Sequence, residues 1–150
     1  MSDIELVEGE IFVDERGKIN SLNNFAFDDV QRIYFIHHPD TDVVRAWQGH
    51  QNETNYFYVT KGSFIVKWIE IDNFDHPSKD LIVQSKILTD QQSEVLTIPE
   101  GHANGFKALE PDSIVLVFSD MTLEDSKSDN YRWEHDYFNV NWNIELIDGQ

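Results

Sequence analysis

The residue types with the most chemistry in this chain fall in one short segment, where Arg45, Gln48 and His50 follow one another. An imidazole titrates at about pH 6.5 when unperturbed, so His50 is the group there suited to take a proton from a carbon next to a carbonyl. That step also needs something to stabilise the enolate oxygen. The guanidinium of Arg45 suits two-point binding of a diphosphate or sugar oxygen. Gln48, and Asn104 further along, can hydrogen-bond a sugar or keto oxygen but take up no proton at a useful pH. Each side chain has a plainer reading too. His50 could be a hydrogen-bonded interior histidine, and Arg45 the partner of a nearby carboxylate. Tyr34, Tyr56 and Tyr58 sit in strand-like runs, where packing is the ordinary role and pocket lining the alternative.

Other chemistries are closed off. The chain has no cysteine, which removes thiol nucleophiles, disulfides and thiolate metal sites and fits a reducing compartment. Neither a glycine-rich phosphate loop nor a G-x-S-x-G elbow is present. With 11 basic against 28 acidic residues, the net charge is −17. Such a surface repels nucleic acid and anionic membrane, so neither is an expected partner. A small anionic ligand remains compatible, because a few basic groups can be gathered in one cleft. Residues 1–10 are acidic and carry no long apolar run, unlike a signal peptide. No run approaches the roughly 20 apolar residues of a membrane span. A soluble, cytoplasmic protein is expected.

Strands must position these groups. Short runs rich in β-branched and aromatic residues, broken by Gly, Pro, Asn and Asp, predict strands over 10–13, 18–22, 31–36, 43–47, 55–60, 63–71, 81–88, 94–98, 104–109, 113–118 and 131–133. One short helix or turn is expected over 123–130, where Glu124 and Asp125 suit a helix N-terminus. Lys61-Gly62 separates two apolar runs and predicts a tight hairpin with Gly62 at positive φ. Residues 72–80 read as an exposed loop. No repeat or linker interrupts the chain, so residues 1–150 are expected to form a single all-β domain. The run 63–71 is apolar on both faces, with Phe64, Val66 and Trp68 on one and Ile65, Ile69 and Ile71 on the other. Burial on both sides needs a second sheet or a second subunit, which predicts a homodimer.

Four segments together resemble two related families. The first is Asp14-Glu15-Arg16-Gly17. The second is Gln31-Arg32-Ile33-Tyr34-Phe35-Ile36 followed by Val44-Arg45-Ala46-Trp47-Gln48-Gly49-His50. The third is Ile98-Pro99-Glu100-Gly101-His102-Ala103-Asn104-Gly105-Phe106, and the fourth runs from Ser119-Asp120 through Tyr131-Arg132-Trp133 to Trp142. These are similar to the dTDP-4-dehydrorhamnose 3,5-epimerases and the dTDP-4-keto-6-deoxyhexose 3,4-ketoisomerases, the RmlC-like cupins. The resemblance implies a double-stranded β-helix (cupin or jelly-roll) barrel, homodimeric, holding a nucleotide-linked sugar in its open end. It implies His50 as base, with Arg45 and Gln48 orienting the sugar and Arg16 meeting the diphosphate; Asn104, from its amide, and Tyr58, from its place in a strand, are the further substrate contacts expected. Gln48 stands where the epimerases carry their catalytic His, Asn104 replaces the third segment's His, and Met121 follows Ser119-Asp120 where they carry a catalytic Tyr. One base on one face suits ketone migration better than double epimerisation. The usual cupin metal motif would draw on Gln48, His50, Asn55 and Asn104, mostly amides and poor ligands for a transition metal. Neither metal nor cofactor is expected. The alternative is a non-catalytic nucleotide-sugar or carbohydrate-binding cupin.

Overall fold

A computed structural model describes residues 3–143. Two antiparallel sheets carry the fold. The first is ordered β1 (Glu5–Glu8), β9 (Glu94–Ile98), β6 (Asn55–Lys61), β11 (Ser113–Ser119), β4 (Arg32–His38). The second is ordered β12 (Tyr131–Arg132), β5 (Val44–His50), β10 (His102–Ala108), β7 (Ser63–Glu70), β8 (Val83–Thr89). A separate hairpin pairs β2 (Glu10–Asp14) with β3 (Gly17–Ser21). The all-β cupin-type architecture expected from the sequence is the one observed. Between β11 and β12 lie the helix α1 (Leu123–Ser126) and a 3-10 turn over Lys127–Asp129. Thr122 caps α1 by accepting from the Asp125 amide, and Glu124 and Asp125 sit in its first turn as the helix dipole favours.

The inner faces of both sheets build one core. Phe57, Leu96, Val115 and Val117 from the first sheet meet Phe64, Val66, Trp68, Leu88 and Phe106 from the second. Each such side chain, fully buried, contributes about 1.5–3 kcal/mol. The β6–β7 hairpin turns at Gly62, whose φ is 74°. A Cβ there would run into the Ser113 hydroxyl, and Asp90 Oδ2 accepts from the Gly62 amide at 2.9 Å.

The outward face of β7 is also buried. Ile65, Ile69 and Ile71 pack into a second cluster with Trp47, Phe138 and Trp142. The C-terminal segment of the same chain therefore covers this face, and the two-sided pattern of β7 needs no second subunit. Two further differences have local causes. β1 escaped the sequence pattern because Glu5 and Glu8 make it acidic and largely exposed at a sheet edge. β5 continues past Trp47 to His50, since Gly49 is accommodated inside the strand rather than ending it.

Candidate functional site

A cleft of about 410 Å³ opens between the two sheets. β4 contributes Arg32, Tyr34 and Ile36 at alternate positions, while Ile33 and Phe35 point away. β6 adds Asn55 and Phe57, β10 adds Asn104 and Phe106, and the α1 region adds Leu123, Ser126, Lys127 and Asn130. Arg132 closes one side from β12.

β5 contributes both Arg45 and Gln48. Residues three apart on a regular strand face opposite sides. Here Gln48 pairs with Asn104 and Arg45 with Phe106, so Ala46 and Trp47 together oppose Gly105. This bulge restores the phase and turns both polar side chains into the cleft. It also sends Trp47 the other way, where it is 1% exposed against Phe138 and Trp142. Gly105 permits the close approach, because a Cβ there would come within 2.5 Å of the Ala46 Cβ.

The cleft is electropositive inside an acidic protein. Among the described residues, Arg32, Arg45, Lys127 and Arg132 line it, and no Asp or Glu does. Arg45 and Arg132 have no salt bridge and no side-chain hydrogen bond among the described residues. Arg32 lies over the Tyr34 ring at 4.9 Å from its centroid. Burial pushes the Tyr34 phenol above its ordinary value against the opposing pull of Arg32, so it stays a neutral O–H. Gln48 donates to Asn130 Oδ1 at 3.1 Å.

His50 does not line this cleft. It follows Gln48 on the same face of β5, one pleat repeat or roughly 7 Å deeper, and is 3% exposed. Its Nδ1 lies 2.7 Å from the Asp129 carbonyl oxygen. A carbonyl only accepts, so Nδ1 carries the proton and the lone pair of the neutral ring sits on Nε2. Nδ1 is also 3.6 Å from Glu53 Oε1 and 3.9 Å from Asp129 Oδ2.

Glu53 and Asp129 form a hub with His50. Glu53 accepts from Ser126 at 2.5 Å, Ser119 at 2.8 Å and Asn55 at 2.8 Å, with Arg32 at 3.5 Å. Asp129 accepts from the consecutive amides of Gln51, Asn52 and Glu53 at 2.8–3.0 Å. Burial pushes the Glu53 carboxyl up, but Ser126, the charge of His50, Ser119 and Asn55 together hold it below the usual carboxylate range. The three residues could reach one ion, their ligand-type atoms lying within 4.8 Å of one another. Each carboxylate oxygen, however, already accepts from a protein donor, so the cluster is built as a hydrogen-bonded hub.

The structure thus brings together Arg45, Gln48 and Asn104 in the cleft, sets His50 behind them, and places two expected contacts elsewhere. Arg16 is on the β2–β3 turn, its side chain 78% exposed and held by Asp14 at 2.5 Å. Tyr58 is on the opposite face of β6 from Phe57, with its hydroxyl 2.9 Å from Ser93 Oγ. One residue of register separates a lining side chain from an outward one, and Phe57 holds the lining position. Arg32, Arg132, Lys127, Glu53 and Asp129 carry roles not assigned from the sequence, and of the three strand tyrosines weighed for the pocket it is Tyr34 that lines it. The alternation Arg32, Tyr34, Ile36 was a usable signal for the first two. No sequence pattern marks Lys127 or Asp129, which reach the site through a turn.

Fold and site define a cupin-type barrel whose end cleft is lined by cations and amides. A family model described as dTDP-4-dehydrorhamnose 3,5-epimerase matches residues 1–149, and the chain belongs to that family. The resemblance seen in the four sequence segments therefore holds, and isomerase action on a nucleotide-linked sugar is its functional class. No curated protein sequence matches the chain. Among solved structures, the Bacillus anthracis dTDP-4-dehydrorhamnose 3,5-epimerase with TDP and PPi bound aligns at TM-score 0.76 and 18% identity, over 95% of this chain and 86% of that one. The Sulfolobus tokodaii epimerase aligns at TM-score 0.74 and 24% identity, over 95% and 82%. QdtA, a sugar 3,4-ketoisomerase from Thermoanaerobacterium thermosaccharolyticum in complex with TDP, aligns at TM-score 0.67 and 19% identity, over 89% and 90%. At these identities the likeness establishes the fold.

Proposed function

We propose that the cleft binds a nucleotide-linked 4-keto-6-deoxy sugar and that the protein moves its keto group, with His50 as the base. One observation carries the ligand: among the described residues, four cations and no acidic residue line the cleft, in a chain of net charge −17. Arg45 and Arg132, without partners among the described residues, suit a diphosphate, which accepts several charge-assisted hydrogen bonds at once. Phe57 and Phe106 supply apolar wall, and Gln48 and Asn104 supply amides for sugar oxygens.

The base role rests on the fixed tautomer. His50 Nε2 takes the proton from the carbon beside the ketone, and the C–H electron pair becomes the double bond of an enediolate. The neighbouring hydroxyl proton passes to the former ketone oxygen while His50 returns its proton to the former carbonyl carbon. The imidazolium formed between these steps faces Glu53 and Asp129. The sugar has to pass Gln48 to reach the ring.

A second reading, a non-catalytic nucleotide-sugar binder, is favoured by the burial of His50 at 3% exposure and by a cleft lining that contains no imidazole or carboxylate among the described residues. Incubation with dTDP-4-keto-6-deoxyglucose in deuterated water separates the two. The first expects deuterium beside the ketone, abolished in His50→Ala while binding persists. Saturable binding with no exchange in the native protein would establish the second.

The proposal includes a homodimer. Ile33 and Phe35 on the edge strand β4 are 58% and 67% exposed, and Phe12 and Ile19, paired across the β2–β3 hairpin, are 58% and 61% exposed. A second copy is the simplest cover for apolar surface on a sheet edge and an isolated hairpin. Sedimentation at micromolar concentration checks it, and a monomer there would remove it. A cytoplasmic location belongs to the same proposal and rests on the lack of cysteine; no helix among the described residues is long and apolar enough to cross a membrane.

A further inference from the structure

We infer that Glu53 is a positioning residue that couples the cleft to His50: an anion bound at Arg32 draws that guanidinium away from Glu53 and leaves the carboxylate to the imidazole. The inference takes its ligand from the proposed function and goes beyond it in assigning how occupancy reaches the base.

Glu53 is 1% exposed and stands between the two sites. Three of its partners, Arg32, Asn55 and Ser126, line the cleft. His50 is its partner on the other side. Oε2 receives Asn55 and Ser119 at 2.8 Å each and Arg32 at 3.5 Å, while Oε1 receives Ser126 at 2.5 Å and faces His50 Nδ1 at 3.6 Å. The contacts with the Arg32 guanidinium and the His50 ring are both loose, and those with the hydroxyls and the amide are short. The hydroxyls and the amide therefore hold the carboxylate in place, and Arg32 and His50 share its charge.

Arg32 is poised to move. Its Nε is buried without a hydrogen-bond partner among the described residues, and its hydrogen bond to Ser126 Oγ is long at 3.3 Å. A phosphate oxygen in the cleft would offer this guanidinium a closer, charge-assisted acceptor. In a buried setting, a unit charge moved by an ångström or two changes the potential at a neighbouring group appreciably.

The other charges facing these groups are fixed or distant from the exchange. Asp129 faces His50 from the 3-10 turn and is pinned by three amides. His102 pairs with His50 across β10, and its Nδ1 donates to the carbonyls of Pro99 and Glu100. Asp120 acts on Glu53 from the end of β11, where it accepts from the Thr54 amide. Arg45 and Arg132 act on Tyr34, across the cleft. Arg32 is the charged partner of Glu53 that also lines the cleft.

The test follows proton uptake by the His50 ring in the full-length protein by NMR, with and without dTDP as the probe. In the native protein dTDP should raise the ring's proton affinity by about tenfold, because Glu53 is released to it. In Glu53→Gln, which keeps the size and much of the hydrogen bonding, the response should fall to less than about a third of that in logarithmic terms. Arg32→Gln provides a second route if Glu53→Gln does not fold: the ring should already have the higher proton affinity without dTDP and respond little to it. Equal responses in the native protein and a folded variant would show direct attraction by the phosphate and overturn the coupling. Saturable binding of dTDP with an unmoved ring would also overturn it, leaving the cleft reading intact. Absence of saturable binding would overturn both together.

Discussion

The cleft and the hub behind it share a wall and treat polar groups in opposite ways. In the cleft, Arg45 and Arg132 have donors with no acceptor among the described residues. In the hub, Glu53 and Asp129 receive hydroxyl, amide and backbone donors on every carboxylate oxygen. Unpaired donors facing open space weaken nothing in water and offer themselves to an anion. A buried carboxylate without donors would be very costly, so saturation is the condition for its being there at all. The difference teaches that the cations are arranged for a ligand and the acids for the scaffold.

The largest way to break that contrast is to empty the hub. Glu53→Ala leaves Ser119, Ser126, Asn55, Arg32 and His50 without their common acceptor, and should cost about 3–5 kcal/mol in denaturant unfolding. A loss below about 1 kcal/mol would mean that the hub is not structural. Because its carboxyl is held below the usual range in the folded state, Glu53 contributes stability that is complete above about pH 4.3 and is lost as the pH falls through the lower folded value. The acid limb of the stability curve should therefore be shallower in Glu53→Gln than in the native protein.

Asp129→Ala ranks next. It strips the acceptor from three consecutive amides and should cost about 2–4 kcal/mol. The backbone carbonyl that fixes the His50 tautomer survives the change, while one of the two carboxylates facing Nδ1 is lost.

The opposite result is expected in the cleft. Arg45→Ala should leave unfolding within about 0.5 kcal/mol of native and weaken dTDP binding about 10- to 100-fold in calorimetry. Stability and affinity falling together would erase the distinction between the two regions.

The smallest effect tests a polar group that follows neither rule. His38 is 2% exposed, with Phe64 and Phe106 at 5.3 and 5.8 Å, and neither ring nitrogen has a hydrogen-bond partner among the described residues. Burial, and then the charge of Arg45, holds its imidazole below the ordinary value. The unfolded chain therefore takes up a proton first as pH falls below about 6.5, and stability declines from there toward the lower folded value. His38→Phe should change stability at neutral pH by less than about 1.5 kcal/mol and flatten the decline below about pH 6.5. An unchanged slope would show that His38 is not the group responsible.

Much of this was legible in the residues. The strand runs lay within a few residues of those found, because alternation and turn residues are local. Gly62 at positive φ followed from Lys61-Gly62 between two apolar runs. Arg45, Gln48 and Asn104 were chosen for their chemistry and do share the cleft. Tyr58 was not legible, because a strand's facing reverses with one residue of register. Arg16 was chosen through its motif, but Asp14 holds it on a hairpin away from this chain's cleft.

The sequence by itself determined the class of fold and the residue types of the site, since periodicity, turn chemistry and charge are carried by neighbours along the chain. Tertiary structure alone decided which groups meet. A bulge opposite Gly105 put Arg45 and Gln48 on one face, and the turn over Lys127–Asp129 returned to cap the segment after His50. That placement depends on register and on contacts between residues far apart in the chain, which no local pattern encodes.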